Sequence, residues 1–505
     1  MNLQTIAVMS SRFLILLLLL SLGVSLPSVI HASPVNLLLI TVDDMSADSI
    51  GSFGAKLAAT SPNVDRLAAE GLSFDLAHVQ VGNCYPSRNV MWSGRYPHNN
   101  GAEGFYEVKP INYPTLCDLM QKHGYWVGIR GKVSHSSPFQ PFLWDADLTI
   151  KPNGESEHLK DSGSYFRSVN RGIRMAEVEG KPFCINVNIS DPHKPFWKPG
   201  DAHPASKEFS AAEIPVPGFL PDDPAIREEL ALYYTSVRRA DDCVGEILRA
   251  LSESGKAEET FVMFLSDHGM PLPFAKTQLY HHSTRTPLIV RWPGVTKPGT
   301  RDGQHMVSAV DFLPTLLDVV GAEKPGGFDG DSFAPLFRGE ALTDRDAVFK
   351  VYNENSGAQR HPIRAVETPR YLYLFNPWSD GVNEFKTATQ GTVSYKRLSA
   401  LAKDDAAIAA RLQLFKFRVP EELYDVQNDP DCLVNLINDP AHEVALLDLQ
   451  TRMGKFMKES GDHALEPFQN RDDPEAIAAY ITRVTEEAQA RRAGRRADKR
   501  AKGQE

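Results

Sequence analysis

The sequence predicts an α/β protein built on a large, mostly parallel mixed sheet, followed by a small antiparallel α+β subdomain at the C-terminal end. Two observations predict it. Through the first two-thirds of the 505 residues, apolar runs of strand length alternate with segments of helical periodicity, the pattern of a buried parallel sheet. Beyond about Val351 the strand-like runs become shorter and more polar, as in an antiparallel layer packed on the first.

The elements follow in order. VNLLLITV, residues 35–42, is the first strand, and SPNVDRLAAEGLSF supplies the next helix, entered at Ser61-Pro62 because the first helical position tolerates a missing amide proton. TLCDLMQKHGYWVGIRGK gives a helix stopped at Gly124 and a strand ending at Lys132; KPFCINVNIS is a further strand. Residues 224–253 carry Leu230, Leu232, Val237, Cys243, Val244, Ile247 and Leu248, mostly on one helical face, and ETFVMFLSDHG then gives a strand ending at Asp267. TPLIVRWPG is another strand, and SAVDFLPTLLDVVG a helix stopped by Gly321. In the C-terminal part PIRAVETPRYLYLFN and ELYDVQNDPDCLVNL are strands, and residues 441–458 form a helix. The divisions expected are a signal peptide at 1–32, the α/β domain at 33–355, the antiparallel subdomain at 356–470, and a charged, helical or disordered tail at 471–505.

Arg12, the apolar run 13–24 and a small-residue site at Ile30-His31-Ala32 make up the signal, so the chain is expected to be exported to a periplasmic, extracellular or lysosome-like compartment. That run is shorter than the roughly 20 residues a bilayer demands, so no transmembrane span is expected after signal removal. A net charge of -10 argues against general nucleic-acid affinity; an anionic substrate must be held by a local cluster of cations. The five cysteines, Cys84, Cys117, Cys184, Cys243 and Cys432, are too scattered for a disulfide scaffold and include no CxxC pair. Cys184 and Cys243 lie in apolar and helical runs, as buried inert thiols do. Cys84 stands apart in a small polar turn among Asn, Tyr, Pro, Ser and Arg, and a disulfide, a metal ligand, a thiol nucleophile or a modified residue would each suit it.

Ligands of open α/β sheets sit beyond the carboxyl ends of strands. Asp43 and Asp44, Lys132 and His135, Asp191 and His193, and Asp267 and His268 all fall there. Three carboxylates converging on one edge repel each other unless a cation neutralises them, and oxygen donors favour Ca²⁺ or Mg²⁺; His268 leaves zinc or manganese open. Helix capping is the plainer reading of the Asp43-Asp44 pair. Arg88, Lys132 and Lys276, with His135 and His193, suit a tetrahedral oxyanion such as sulfate or phosphate. The chain has no GxxxxGK[ST] loop, no GxGxxG after a strand, no HExxH and no GxSxG.

CYPSR at 84–88, followed by NVMWSGR, resembles the sulfatase signature C-x-P-S-R-x-x-x-L-T-G-R, whose cysteine is oxidised in the cell to formylglycine. The resemblance runs over nearly the whole mature chain, through NLLLITVDD, SPNVDRLAAEGLSF, GKVSH, SDPHKPF, TPLIVRWPG and ELYDVQNDPDCLVNL. Within the sulfatases, SDHGMPLPFAKTQLYHHSTRTPLIV is most similar to the heparan N-sulfatase (sulfamidase) branch, with iduronate-2-sulfatase the competitor.

The resemblance implies an alkaline-phosphatase-like three-layer αβα fold and hydrolysis of N-sulfoglucosamine in a sulfated glycan. It implies one Ca²⁺ ligated by Asp43, Asp44, Asp267, His268 and the modified Cys84, with Arg88 stabilising the aldehyde hydrate. Lys132, His193 and Lys276 would hold the sulfate and the leaving group, His98 would join them at the substrate, and His135 would deprotonate the second hydroxyl. Maturation would require a formylglycine-generating or anaerobic sulfatase-maturing enzyme, and a homodimer is left open. The alternatives are an O-sulfatase of iduronate-2-sulfatase or algal-polysaccharide type, a phosphohydrolase of the same superfamily, a thiol hydrolase using Cys84 with His135, and a non-catalytic exported glycan-binding protein.

Overall fold

Strand β1 (Asn36–Asp43) is buried along its whole length, and its side chains alternate between two apolar cores. Leu38, Ile40 and Val42 enter one; Leu37 and Leu39 enter the other. The computed structural model that shows this describes residues 34–109, 111–136 and 143–501, so the signal peptide expected at 1–32 lies outside the described residues.

β1 lies near the middle of an eight-stranded sheet in the order β5 (Ala146–Asp147), β4 (Trp126–Arg130), β6 (Phe183–Pro192), β1, β7 (Thr260–Ser266), β8 (Leu288–Arg291), β2 (Leu72–Phe74), β9 (Thr300–Asp302). From β5 to β7 every neighbouring pair is parallel. β8 is antiparallel to both its neighbours, and β2 pairs with β9 in parallel, so the sheet is mixed but mostly parallel.

Helices cover both faces. On the side of Leu38 and Ile40 lie α1 (Pro62–Glu70), α4 (Ser162–Val178) and α5 (Pro224–Glu253), contributing Val64 and Leu67, Val169 and Ile173, and Val237 and Val244. On the other side, α2 (Cys84–Ser93), α3 (Leu116–Lys122) and α6 (Phe312–Val319) contribute Met91 and Trp92, Leu116 and Met120, and Leu313 and Leu316. The sequence reading assigns no helix to α4. Its signals are Asp161, whose carboxylate accepts the Gly163 N–H at 3.1 Å, and Tyr165, Val169, Ile173 and Ala176, which recur at helical spacing and are buried.

The small antiparallel layer follows: β11 (Val348–Glu354), β12 (Arg360–Glu367), β13 (Tyr371–Phe375) and β14 (Glu421–Asp425), paired in that order. Its inner residues Val351, Ile363, Leu372 and Leu423 belong to the same apolar core as β1, α4 and α5. α7 (Glu443–Ser460) packs on β12 and β13. Just beyond it Asp462 forms a fully buried two-pronged pair with Arg364 of β12, with Nη2 donating to Oδ1 at 2.7 Å. The tail from residue 471 is helical over α8 (Pro474–Ala501), which buries Tyr480, Val484 and Ala488 and packs on β12. Among the described residues, no helix is long and apolar enough to cross a membrane.

Candidate active site

Because β4, β6, β1 and β7 are adjacent and parallel, their carboxyl ends share one edge of the sheet. Asp43 ends β1 and Asp44 follows it; Asp267 and His268 follow β7, His193 follows β6, and Lys132 stands two residues beyond β4. Cys84 arrives from the helical layer. The turn expected around it is the entry to a helix, for Cys84 is the first residue of α2, only 4% exposed, with Asn83 at the cap position. The positive end of the helix therefore points at the group that Cys84 carries. Two glycines permit the close packing. A Cβ on Gly82 would meet Gln278 O at 2.5 Å, and one on Gly269 would meet His282 O at 2.0 Å, so the loop after β7 could not fold over Cys84 with larger residues there.

Donor atoms of Asp43, Asp44, Cys84 and His268 lie within 4.8 Å of one another, all buried. Asp267 joins them from the side: its Oδ1 accepts the Asp44 N–H at 3.1 Å and lies 3.7 Å from His268 Nε2. Its Oδ2 is gripped by Arg88, through Nε at 3.0 Å and Nη2 at 3.0 Å. Lys132 pairs with Asp43. Lys276 Nζ reaches Asp44 Oδ1 at 2.6 Å and Oδ2 at 2.7 Å and approaches Cys84 Sγ at 4.0 Å. Around Cys84 the structure therefore brings together Asp43, Asp44, Arg88, Lys132, Asp267, His268 and Lys276.

His135 and His193 flank the group, each half-buried. His193 Nδ1 lies 2.6 Å from the Lys194 carbonyl, which assigns the proton to Nδ1 and leaves Nε2 free. The ring of His135 stands edge-on to Tyr85 and Phe105, with Nδ1 buried and without a hydrogen-bond partner. His98 is placed differently: it stacks on Tyr96, with Phe456 edge-on and Asp462 at 4.0 Å, and none of these neighbours belongs to the cluster around Cys84.

The electrostatics follow from burial and crowding. Burial favours a neutral Asp43, yet Lys132, Arg88, His193 and Lys276 outweigh it and hold the carboxyl well below its usual value. Burial, then repulsion from Asp43, raises Asp267. Burial lowers His268, but Asp267 and Asp44 more than compensate and push it up to about 9. His135 goes the other way, lowered to about 4 by burial and by the charges of Lys132 and Arg88. Among the described residues, Asp43 Oδ1 is buried without a hydrogen-bond or ion-pair partner, and His268 Nε2 lies 3.1 Å from Asp44 Oδ1 and 3.7 Å from Asp267 Oδ1. An orphaned carboxylate oxygen beside an imidazole nitrogen, among three crowded carboxylates, fits a divalent cation.

Two further residues complete the site, Asn188, which was not legible in the sequence, and Ser87, which the sequence marked only as a position of CYPSR. Asn188 accepts from Arg88 Nη1, and Ser87 Oγ donates to the Asp267 carbonyl at 2.7 Å. Asp44, Lys132, Phe274 and Thr277 hold positive φ angles of 67°, 49°, 68° and 64°, a conformation costing about 1 kcal/mol or more for residues with a Cβ, and all lie on the segments that form this site. Asp191, at the end of β6, faces away into a structural network, accepting from Lys160 Nζ at 2.6 Å and from Arg239 Nε at 2.7 Å.

Comparison with known proteins agrees with this geometry. The sulfatase family model matches residues 35–322, and a second model, the C-terminal region of N-sulphoglucosamine sulphohydrolase, matches 267–382. The chain is 28% identical over 488 residues to the N-sulphoglucosamine sulphohydrolase of Homo sapiens, covering 86% of this chain and 91% of that one. It is 26% identical over 468 residues to an ulvan-active sulfatase of Formosa agariphila, covering 86% of this chain and 76% of the relative. A protein solved in complex with its substrate D-glucosamine-2-N,6-O-disulfate shares the fold with a TM-score of 0.64 at 18% identity, covering 85% of this chain and 98% of the other. The three-layer αβα domain is thus the alkaline-phosphatase-like one that the motifs imply. With the family model spanning more than half of the sequence and the CYPSR cysteine seated among buried carboxylates at the sheet edge, the chain belongs to the sulfatase family, the hydrolases of sulfate esters and sulfamates.

Proposed function

We propose that this sulfatase hydrolyses the N-sulfate of glucosamine at the non-reducing end of a sulfated glycan, using a formylglycine made from Cys84 and one Ca²⁺. The observation that carries the reading is Cys84 of CYPSR at the head of α2, with its sulfur among Asp43, Asp44 and His268. Support for the N-sulfate comes from the match over 267–382 and from the human relative. The ulvan-active relative, at 26% identity, favours an O-sulfate instead, and that is the reading to be tested against it.

Asp43, Asp44, Asp267 and His268 would hold the cation together with the group made from Cys84; when bound, it supplies Lewis-acid polarisation of the nucleophile and of a sulfate oxygen. An aldehyde hydrate made from Cys84 would supply two hydroxyls at this position, one as the nucleophile towards sulfur and one for the release of sulfate. The chain's own side chains do the rest. Arg88, fixed by Asp267 and Asn188, directs its charge at the Cys84 position. Lys132 and Lys276 sit beside the cluster as desolvated cations for sulfate oxygens. His193, with Nδ1–H committed to the Lys194 carbonyl, would act as the imidazolium, giving the proton carried on Nε2 to the leaving nitrogen and becoming the neutral imidazole. His135 is an unprotonated imidazole over most of the pH range, suited to accept the proton of the second hydroxyl.

Incubation of the metal-loaded protein with glucosamine N-sulfate, glucosamine 6-O-sulfate and a 2-O-sulfated uronic acid disaccharide tests the reading. Release of sulfate with a new free amine from the first is the expected result. Cleavage confined to an O-sulfated substrate would move the protein to the O-sulfatases.

A further inference from the structure

The basic end of α8 is not absorbed by the chemistry above. Residues 491–502 hold seven lysines and arginines and one acidic residue, Asp498, in a chain whose net charge is -10. Arg491 and Arg495, and likewise Arg492 and Arg496, are four apart, so like charges stack on neighbouring turns and weaken the helix. Such a pattern is stabilised when anions lie against it.

The helix is docked, and its docking point is the outer wall of the active site. Arg491 Nη2 lies 3.4 Å from the buried Glu354 of β11, and the Arg495 guanidinium covers the ring of Tyr106. Tyr106 belongs to the segment 103–107, which Arg360 of β12 anchors through Glu103. The adjacent Phe105 faces inward, its ring against Tyr85 and edge-on to His135, while the Tyr85 hydroxyl donates to Glu107 at 2.7 Å. One layer of chain thus separates the basic end of α8 from the residues beside Cys84.

The arginines there are not saturated. Arg491 Nε and Arg495 Nη1 are shielded from water without a hydrogen-bond partner, and Arg492 and Arg496 are exposed and, among the described residues, form no ion pair. No large apolar residue occurs between 491 and 501, so this end has none of the anchors with which an interfacial helix enters a membrane.

We propose that the basic end of α8 is a second anion subsite, taking the sulfate and carboxylate groups of sugar residues next to the one being desulfated, so that the preferred substrate is a polyanionic oligosaccharide. The proposal rests on the sulfated-glycan reading above. It is tested with the full-length, metal-loaded protein and its Arg492→Glu/Arg496→Glu variant, in which two exposed side chains change sign and the packed face of α8 is untouched. KM is measured for a sulfated tetrasaccharide and for the matching monosaccharide sulfate. The tetrasaccharide KM should rise about tenfold in the variant, with kcat and the monosaccharide KM unchanged. Equal KM values in the two proteins, or an equal shift for both substrates, would overturn it. If neither protein turns over a sulfated sugar, the glycan-hydrolase reading fails and retention on immobilised heparin decides the subsite alone. Elution of the variant at lower salt then supports it, and elution at the same salt rejects it. Binding of the unmodified protein to anionic lipid vesicles, without retention on heparin, would assign the patch to a membrane surface and also reject it.

Discussion

Cys84 combines three constraints that a surface thiol lacks: it is buried, it opens a helix, and it faces carboxylates through Lys276. Cys84→Ala is expected to lower sulfate release by about 10⁴-fold or more, since in the proposed mechanism the group that it supplies is the nucleophile. Stability should change by only about 1 kcal/mol, because a single small group is lost from the wall of a polar site. Sulfate release and denaturant unfolding on the same preparation check both halves. His135 carries a pH signature. Burial, then Lys132 and Arg88, holds its folded value at about 4, below the ordinary 6.5, so the imidazole keeps its free nitrogen as pH falls through 6.5 and gains a proton only near 4. The acid limb of kcat should lie nearer 4 than 6.5, and His135→Gln should remove that limb from the pH–rate profile. At this scale the sequence was informative wherever a polar residue directly follows an apolar run, as at Asp43, Asp44, Asp267 and His268. Asn188 gave no such signal and Ser87 only its place in CYPSR: one lies inside a strand and the other inside a helix, and only the assembled sheet brings them to Arg88 and Asp267.

Between elements, the pair of Arg364 and Asp462 joins β12 to the segment after α7, with neither side chain reaching solvent. Burial opposes ionisation of Asp462, but Arg364 overrides it and holds the carboxyl far below its usual value of 3.8. The unfolded chain therefore binds the proton more readily, and the stability that this pair contributes is present above pH 3.8 and lost as pH falls below it toward the folded value. Asp462→Ala leaves a buried guanidinium without its partner and should cost about 3–5 kcal/mol near neutral pH. Urea unfolding of both proteins at pH 7 and pH 3 should show the difference shrinking in acid. The helices of the main domain were legible where one apolar face recurs over many turns, as in α5, whose bounds are those read from the sequence. α4 is hard to read because Ser164, Ser168 and Gly172 interrupt its buried face, and the helices Val393–Leu401 and Ala406–Phe417 lack a clear buried stripe, burying only Ser394, Leu398 and Phe415. The start of the antiparallel layer was likewise hidden, because β11 carries the apolar residues Val348, Phe349, Val351 and Tyr352, much as the strands before it do.

Across the whole molecule, the site depends on four parallel strands and one helix that are distant in sequence, from Asp43 to Lys276. A cation bound by these carboxylates stabilises only the folded chain. At a free concentration one hundred times its dissociation constant it contributes about 2.7 kcal/mol, so chelation should lower both the melting temperature and the activity. Asp44→Ala should abolish the thermal shift on adding Ca²⁺, and an unchanged shift would send the carboxylates back to a capping role. The account as a whole turns on the chemical state of Cys84, and mass spectrometry of the tryptic peptide ending at Arg88, taken from a preparation of known specific activity, tests it most directly. The account predicts a peptide that has lost one sulfur and two hydrogens and gained one oxygen, in proportion to the activity. Full sulfatase activity in a preparation whose Cys84 remains a thiol would contradict it.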